Sequence, residues 1–368
     1  MHDLLVVMRL VCLALSFSIF TALSSTSVYA DNTIQSDHQG FQYTGRIDFS
    51  KPKKPILSWP GSSVKALFSG DKLSITLDDS SGNNYFNVIV DGNSAYPYVI
   101  ATKKGQHSYV IDGLAEGEHS LEIYKRTEGH EGASKFLGIA IADKGRMLKA
   151  PSALKRKIAF FGDSITSGMG NEAADNSEDN KPEDKNNYLS YSSITARKLN
   201  AEHHTVSLSG IGVMVSWFDF SMPDYFDQLS AVGNNNSQWD FSRWTPDIVV
   251  VNLLQNDSWL VGDTKRLSPT PSEQEIVQSY ADFIQSIRAK YKGKPLICVL
   301  GSMDVTQANS PWPSYVEKAI KLIKQKDGSA DIDMLEFDFT GYKAHPRVHQ
   351  HQRNADILTD FIARKMQW

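Results

Sequence analysis

From Phe41 to about Leu148 the apolar positions fall in short runs: "VKALFSG", "KLSITLDD", "YFNVIVDG", "HSYVIDGL", "HSLEIYKR" and "KFLGIAIAD". Within them apolar and polar residues alternate, or β-branched and aromatic side chains cluster. Gly, Asp and Asn punctuate the runs at intervals of about eight to twelve residues. No helix-length periodicity interrupts the series, so residues 41–150 are expected to form an all-β sandwich. After "MLKAPSALKRK" the pattern changes. "IAFFG", "HTVSLS", "DIVVVNLL", "PLICVLG" and "DMLEFDF" read as strands buried on both faces. Between and after them lie the helical patterns "YLSYSSITARKL", "SEQEIVQSYADFIQSIRAKY", "PSYVEKAIKLIKQ" and "VHQHQRNADILTDFIARKM". Alternation of strand and helix over residues 151–368 predicts an α/β domain with a parallel sheet covered on both faces. Its ligand site is then expected outside the carboxyl ends of the strands.

The start of the chain, "MHDLLVVMRLVCLALSFSIFTALSSTSVYA", reads as a signal peptide over residues 1–30, with Arg9, an apolar stretch to Leu23 and cleavage after Ala30. The apolar stretch is shorter than the ~20 residues of a membrane span. The mature chain is therefore expected to be secreted or periplasmic and free of the membrane. Residues 31–40, "DNTIQSDHQG", are polar throughout and read as a flexible leader. The chain has 368 residues and a net charge of -4, which offers no basic field to nucleic acid. Cys12 falls within the signal, so Cys298 is the one cysteine of the mature chain, and "PLICVLG" marks it as a buried strand residue. "NEAADNSEDNKPEDKNN" reads as a solvated acidic loop, since it lacks the Gly-punctuated spacing of a calcium loop.

Four positions at strand ends carry candidate chemistry. Ser164 in "FFGDSITSG" is a nucleophile or a helix cap, and the motif alone does not choose between them. Gly210 in "VSLSGIGV" offers a bare N–H or merely a turn. Asn256 in "VVVNLLQNDSW" offers an amide donor or a strand-end cap, and His345 in "GYKAHPRVHQH" a base or an ordinary loop histidine. Taken together at one sheet edge, they make a nucleophile, a base and two oxyanion donors. Asp163 and Asp257 read as turn and cap residues. His349 and His351 read as structural, because no third ligand is spaced for zinc.

These blocks resemble the SGNH (GDSL-type) hydrolase superfamily: "GDSIT" at Ser164, "SG" at Ser209–Gly210, "ND" at Asn256–Asp257 and "HP" at His345. The chain is most similar to carbohydrate esterase family 2, through "YKRTEGHEGASKFLGI", "GDSITSGMGNE", "MPDYFDQL" and "WDFSRWTPDIVVVNLLQND". The likeness runs from about Tyr43 to Met366. It implies a jelly-roll sandwich followed by a three-layer, flavodoxin-like SGNH hydrolase domain. It also implies a cofactor-free, metal-free deacetylation of plant-type polysaccharides such as xylan or glucomannan. In this pattern Ser164 attacks the acetyl group and His345 relays the proton. The N–H groups of Ser164 and Gly210 and the Asn256 amide hold the oxyanion. Apart from the resemblance, Trp259, just after Asn-Asp, offers an aromatic face to a sugar ring or is an ordinary core tryptophan.

Two positions depart from the pattern. The family's Asp three residues before the histidine is Tyr342 here, so the expectation is a Ser–His pair with a backbone carbonyl at the histidine. Asp338 is the alternative third member. Leu254 and Gln255 stand where the family has Gly-Thr, and are expected to reshape the pocket wall. Two alternatives stay open on sequence: an SGNH lipase or acyl-thioesterase, and a catalytically idle carbohydrate-binding protein.

Overall fold

The computed structural model describes residues 32–142, 144–175, 177–341 and 344–368. The expected signal peptide, and Tyr342, lie outside them. The N-terminal part consists of two antiparallel sheets packed face to face. One takes strands Asn32–Gln35, Ser134–Ile141, Leu73–Asp79 and Gly105–Ile111 in that order, with Ile56–Leu57 alongside Ser134–Ile141. The other takes Arg146–Met147, Ser63–Ser69, Glu118–Lys125, Tyr85–Val90 and Tyr98–Ala101, with Gln42–Thr44 beside Ser63–Ser69. Leu73, Ile75 and Leu77 alternate inward with polar neighbours. They meet Val64, Ala66, Phe68 and Phe136 in one core, as the period-2 pattern requires.

One expectation is corrected in this part. The supposed flexible leader is not free: Asn32–Gln35 pairs antiparallel with Ser134–Ile141, in the register Ile34 to Ile139. Ile34 alone packs on the sandwich core. An edge strand needs only backbone bonds and one anchoring side chain, so its polar composition concealed it.

The C-terminal part is a parallel sheet in the order Ala201–Ser207, Arg156–Gly162, Ile248–Asn252, Leu296–Leu300, Ile332–Glu336. Helices Tyr191–Lys198 and Val348–Met366 cover one face, and Glu273–Lys290 and Trp312–Lys326 the other. The central strands are buried throughout, Ile248–Asn252 and Leu296–Leu300 at every residue, whereas Ile332–Glu336 is half exposed because it is the sheet edge. Strand order reverses beside Arg156–Gly162, and such a reversal opens the crevice where open α/β sheets bind ligands.

The two parts are joined by interdigitation. Trp59 of the sandwich is a member of the hydrolase core, 4.9 Å from Tyr225, and its Nε1 donates to Leu229 O at 2.8 Å. Arg46, also from the sandwich and fully buried, donates through Nη1 to Phe226 O (2.7 Å) and Gln228 O (2.9 Å). The rings of Trp59, Phe161, Trp239 and Phe241 surround its guanidinium at 5.2 to 5.9 Å. Such a cage offsets the cost of burying the charge by cation–π attraction and charged hydrogen bonds.

Candidate active site

Three neighbouring strands end at the same level: Gly162 pairs with Ser207 on one side and with Asn252 on the other. Ser164 follows the first of these strands and opens the single helical turn Ser164–Ser167. Asp163 caps that turn, accepting Ile165 N–H at 3.0 Å, and Gly168 ends it in the left-handed conformation (φ +80°). So the cap is Asp163, and Ser164 is left as the first residue of the turn. Among the described residues neither its hydroxyl nor its N–H has a protein partner. An N–H in a first helical turn is one of the donors a helix cannot satisfy itself. Burial, reinforced by Asp257, pushes the Asp163 carboxyl up to about 7.

Gly210 follows strand Ala201–Ser207 with φ +86°. A Cβ there would lie 3.3 Å from both the Trp217 and the Phe218 ring. Its carbonyl accepts Trp217 N–H at 3.0 Å, and its own N–H has no acceptor among the described residues. Asn256 sits on the short helix Gln255–Leu260. Its Oδ1 accepts from Trp217 Nε1 (3.1 Å) and its Nδ2 donates to Ile211 O (2.9 Å). One amide hydrogen remains for a ligand. Asp257 draws in the loop between them by accepting the N–H groups of Val213, Met214 and Val215. Burial raises its carboxyl pKa against those bonds.

His345 lies in the loop before the last helix. Its Nδ1 is 3.0 Å from Asp179 Oδ2, and its backbone N–H donates to the same oxygen at 3.0 Å. A carboxylate can only accept, so Nδ1 carries the proton and Nε2 is the basic nitrogen. Nε2 has no partner among the described residues. Burial would raise the Asp179 carboxyl, but the bonds from His345 and Arg347 hold it well below the usual carboxylate range. Arg347 ties the assembly together, donating to Asp179 Oδ2 (3.3 Å), His345 O (3.0 Å) and Gly170 O (3.1 Å). Gly170 is six residues beyond Ser164, and a Cβ on it would overlap Asp179. Val348 N–H donates to Asn171 O at 3.0 Å. The serine loop and the histidine loop are thus clamped to each other.

This geometry corrects two expectations. Asp338 is not beside the histidine: it pairs with Arg353 at 2.7 Å on the open surface. The histidine's partner is a carboxylate, Asp179, rather than a backbone carbonyl, and it comes from the acidic stretch read as a solvated loop. Leu254 and Gln255, expected to reshape the pocket wall, are both buried beside Asn256. Leu254 takes a left-handed backbone (φ +81°), and Gln255 braces Asp304 (2.6 Å) and Val305 N–H (3.2 Å).

Trp259 is 39 % exposed, with Nε1 held by Asp304 at 2.9 Å. His351 accepts Tyr191 N–H at 3.1 Å, and burial pushes it down to about 3. Cys298 is buried in its strand. Among the described residues no cluster of His, Cys, Asp or Glu is arranged to hold a metal, and no helix is long and apolar enough to cross a membrane.

Sequence reasoning missed Trp217, 51 % exposed beside the Asn256 amide with Arg266 5.0 Å from its ring. An open cleft of about 480 Å³ lined by Met214, Ser216, Phe218 and Arg266 adjoins it. A second cleft, about 350 Å³, involves Tyr188, Arg197 and His203, but opens at the start of strand Ala201–Ser207, the edge opposite Ser164.

Residues 43–151 match the carbohydrate esterase 2 N-terminal family, and residues 160–360 the GDSL-like lipase/acylhydrolase family. A cellulase/esterase of Acetivibrio thermocellus is 34 % identical over 91 % of this chain, which spans 41 % of that longer protein. An acetylxylan esterase/glucomannan deacetylase of Cellvibrio japonicus is 25 % identical over 93 % of this chain and 95 % of its own length. Among solved structures, a family two carbohydrate esterase from Clostridium thermocellum in complex with cellohexaose superposes with TM-score 0.79. It is 34 % identical, over 89 % of this chain and 100 % of that one. With this sandwich and this serine-bearing sheet in one chain, the protein belongs to the GDSL-like lipase/acylhydrolase family and, within it, to the family two carbohydrate esterases.

Proposed function

We propose that this chain removes O-acetyl groups from carbohydrates, with Ser164 as nucleophile, His345 as general base and acid, and Asp179 as the positioning carboxylate. The observation that carries the reading is the 3.0 Å bond between Asp179 Oδ2 and His345 Nδ1. It fixes the tautomer with a basic Nε2 and stabilises the imidazolium. As Ser164 Oγ attacks the acetyl carbonyl carbon, its proton passes to His345 Nε2, and the carbonyl π pair moves onto oxygen. The N–H groups of Ser164 and Gly210 and the spare Nδ2–H of Asn256 receive that oxyanion. Collapse breaks the carbon–oxygen bond to the sugar, whose oxygen leaves with the proton from Nε2. Water then repeats the sequence on the acetyl-enzyme and releases acetate.

Carbohydrate as the alcohol partner is supported by the family and by the exposed faces of Trp217 and Trp259. Each ring is tethered through Nε1, to Asn256 and to Asp304 respectively. Tethered indoles suit the apolar C–H face of a pyranose and lose little side-chain entropy on binding. Xylan and glucomannan are the first substrates to test, since the Cellvibrio japonicus relative is named for both. Residues 1–30 support export by a cleaved signal.

The test is acetate release from 4-nitrophenyl acetate, acetylated xylan and acetylated glucomannan. Ser164→Ala should fall to background, and Asp179→Asn should lose about 10²- to 10⁴-fold in kcat. Asp338→Ala should stay within about twofold of the parent, as expected of an exposed ion pair. A dead Asp338→Ala beside an active Asp179→Asn would reverse the assignment. Longer acyl esters hydrolysed in preference to acetate would favour the lipase reading instead.

A further inference from the structure

One segment of the sandwich crosses to the hydrolase site. Beyond strand Glu118–Lys125 the chain runs through Arg126–Ala133, seated under the strand ends that carry the candidate active site. Gly129 permits the approach, because a Cβ there would lie 1.8 Å from Ala231 O. Glu128, buried, accepts the N–H of Ser209 at 2.6 Å and the hydroxyl of Ser167 at 2.9 Å, both on Oε2. Lys185 Nζ lies 3.2 Å from its other oxygen. Ser167 closes the turn that Ser164 opens, and its Oγ is 2.8 Å from Ser207 Oγ. Two residues along, the exposed His130 places Nε2 3.0 Å from Ser209 O. That oxygen can only accept, so Nε2 carries the proton.

The covalent geometry makes these contacts consequential. Ser209 C=O and Gly210 N–H belong to one planar trans peptide, in which the two bonds point in opposite directions. A donor fixed on the oxygen therefore aims the Gly210 N–H and, by polarising the amide, strengthens it as a donor. Glu128 fixes the preceding peptide through its N–H, so the sandwich grips Ser209 on both sides. A charged, buried acceptor is a costly way to hold two domains together, because ion-pair burial rarely outperforms apolar packing. A charge-assisted bond does, however, set a backbone direction tightly.

We propose that the sandwich domain is a working part of the catalytic centre: Glu128 and His130 are positioning residues that aim the Ser209–Gly210 peptide at the oxyanion. This rests on the Ser164 esterase reading above. The experiment uses the full chain as parent, Ser164→Ala, Glu128→Gln and His130→Ala. Four quantities are measured: kcat and KM on 4-nitrophenyl acetate, the affinity for phenylboronic acid, the fraction of sites titrated at the endpoint by a fluorophosphonate, and the melting temperature. The boronate forms a tetrahedral anion on serine and so reports the oxyanion pocket without turnover.

Per titrated site, kcat should drop roughly 10- to 100-fold in Glu128→Gln and about tenfold in His130→Ala, the scale of a misplaced catalytic group. KM should hold within about threefold, and boronate affinity should fall in parallel with kcat/KM. A merely structural role lowers the titrated fraction or the melting temperature and leaves per-site kcat and boronate affinity alone. Since His130 is exposed, His130→Ala decides the matter even if Glu128→Gln does not fold. Parent-like per-site kcat and boronate affinity in His130→Ala overturn the proposal. A parent without esterase activity, or an active Ser164→Ala, overturns the reading beneath it and the proposal with it.

Discussion

Gly210 has two constraints at once: a left-handed backbone and rings at contact distance from the missing Cβ. Alanine there would carry a strain of about 1–2 kcal/mol, relieved most cheaply by turning the peptide whose N–H is the candidate donor. Gly210→Ala should therefore lose about 10²- to 10³-fold in kcat, the cost of an oxyanion donor. Gly233, also left-handed (φ +62°) but with open space around it, is the control: Gly233→Ala should cost similar stability and no activity. Equal activity in the two variants, measured beside melting curves, would sink the oxyanion role of Gly210. The strand-end positions of Ser164, Gly210, Asn256 and His345 were legible from local punctuation, while the roles expected of them came from the family resemblance. Asp179 was not, since it meets His345 across 166 residues of sequence from a stretch with no periodicity at all.

At the scale of elements, every long strand and helix was legible, because buried central strands and amphipathic helices write their burial into the sequence. What was hidden are irregular segments whose conformation is set by partners elsewhere. The acidic loop is held by Arg126, which donates to Lys185 O at 3.1 Å and Glu183 O at 2.7 Å, and by Arg347. The sandwich segment Arg126–Ala133 is held in turn by Lys185, which pairs with both Glu128 and Glu131. These buried charges make the junction acid-sensitive with a definite sign. Burial raises the Glu128 carboxyl, but Lys185, His130 and Ser209 outweigh it and bring the group from its ordinary 4.5 down to about 2. A group depressed in the folded state contributes stability that is complete above its unfolded value and lost as the pH falls toward the folded one. Glu128→Gln should therefore be less stable than the parent at pH 7, and the gap should close as pH falls from about 5 toward 2. Urea unfolding at several pH values checks it, and a pH-independent gap would contradict the ion pair.

For the whole molecule, the change from antiparallel to parallel sheet was legible, but the way the two parts join was not: Arg46 and Trp59 look like ordinary sandwich residues until the fold places them in the hydrolase. Burying one tryptophan contributes on the order of 5 kcal/mol before entropy. Arg46→Met leaves two buried carbonyls without their charged donor, a loss of about 2–4 kcal/mol. Calorimetry should show a single unfolding transition for the parent, shifted down in Arg46→Met. Two separated transitions in the parent would show that the domains are thermodynamically independent. Gly129, with no room for a Cβ against Ala231, carries a longer consequence. A side chain there would push the sandwich and the hydrolase apart, so a substitution at the seam is expected to disturb the fit of both parts at once. Gly129→Ala should therefore lower the melting temperature of the whole chain, and an unchanged melting curve would contradict the close fit.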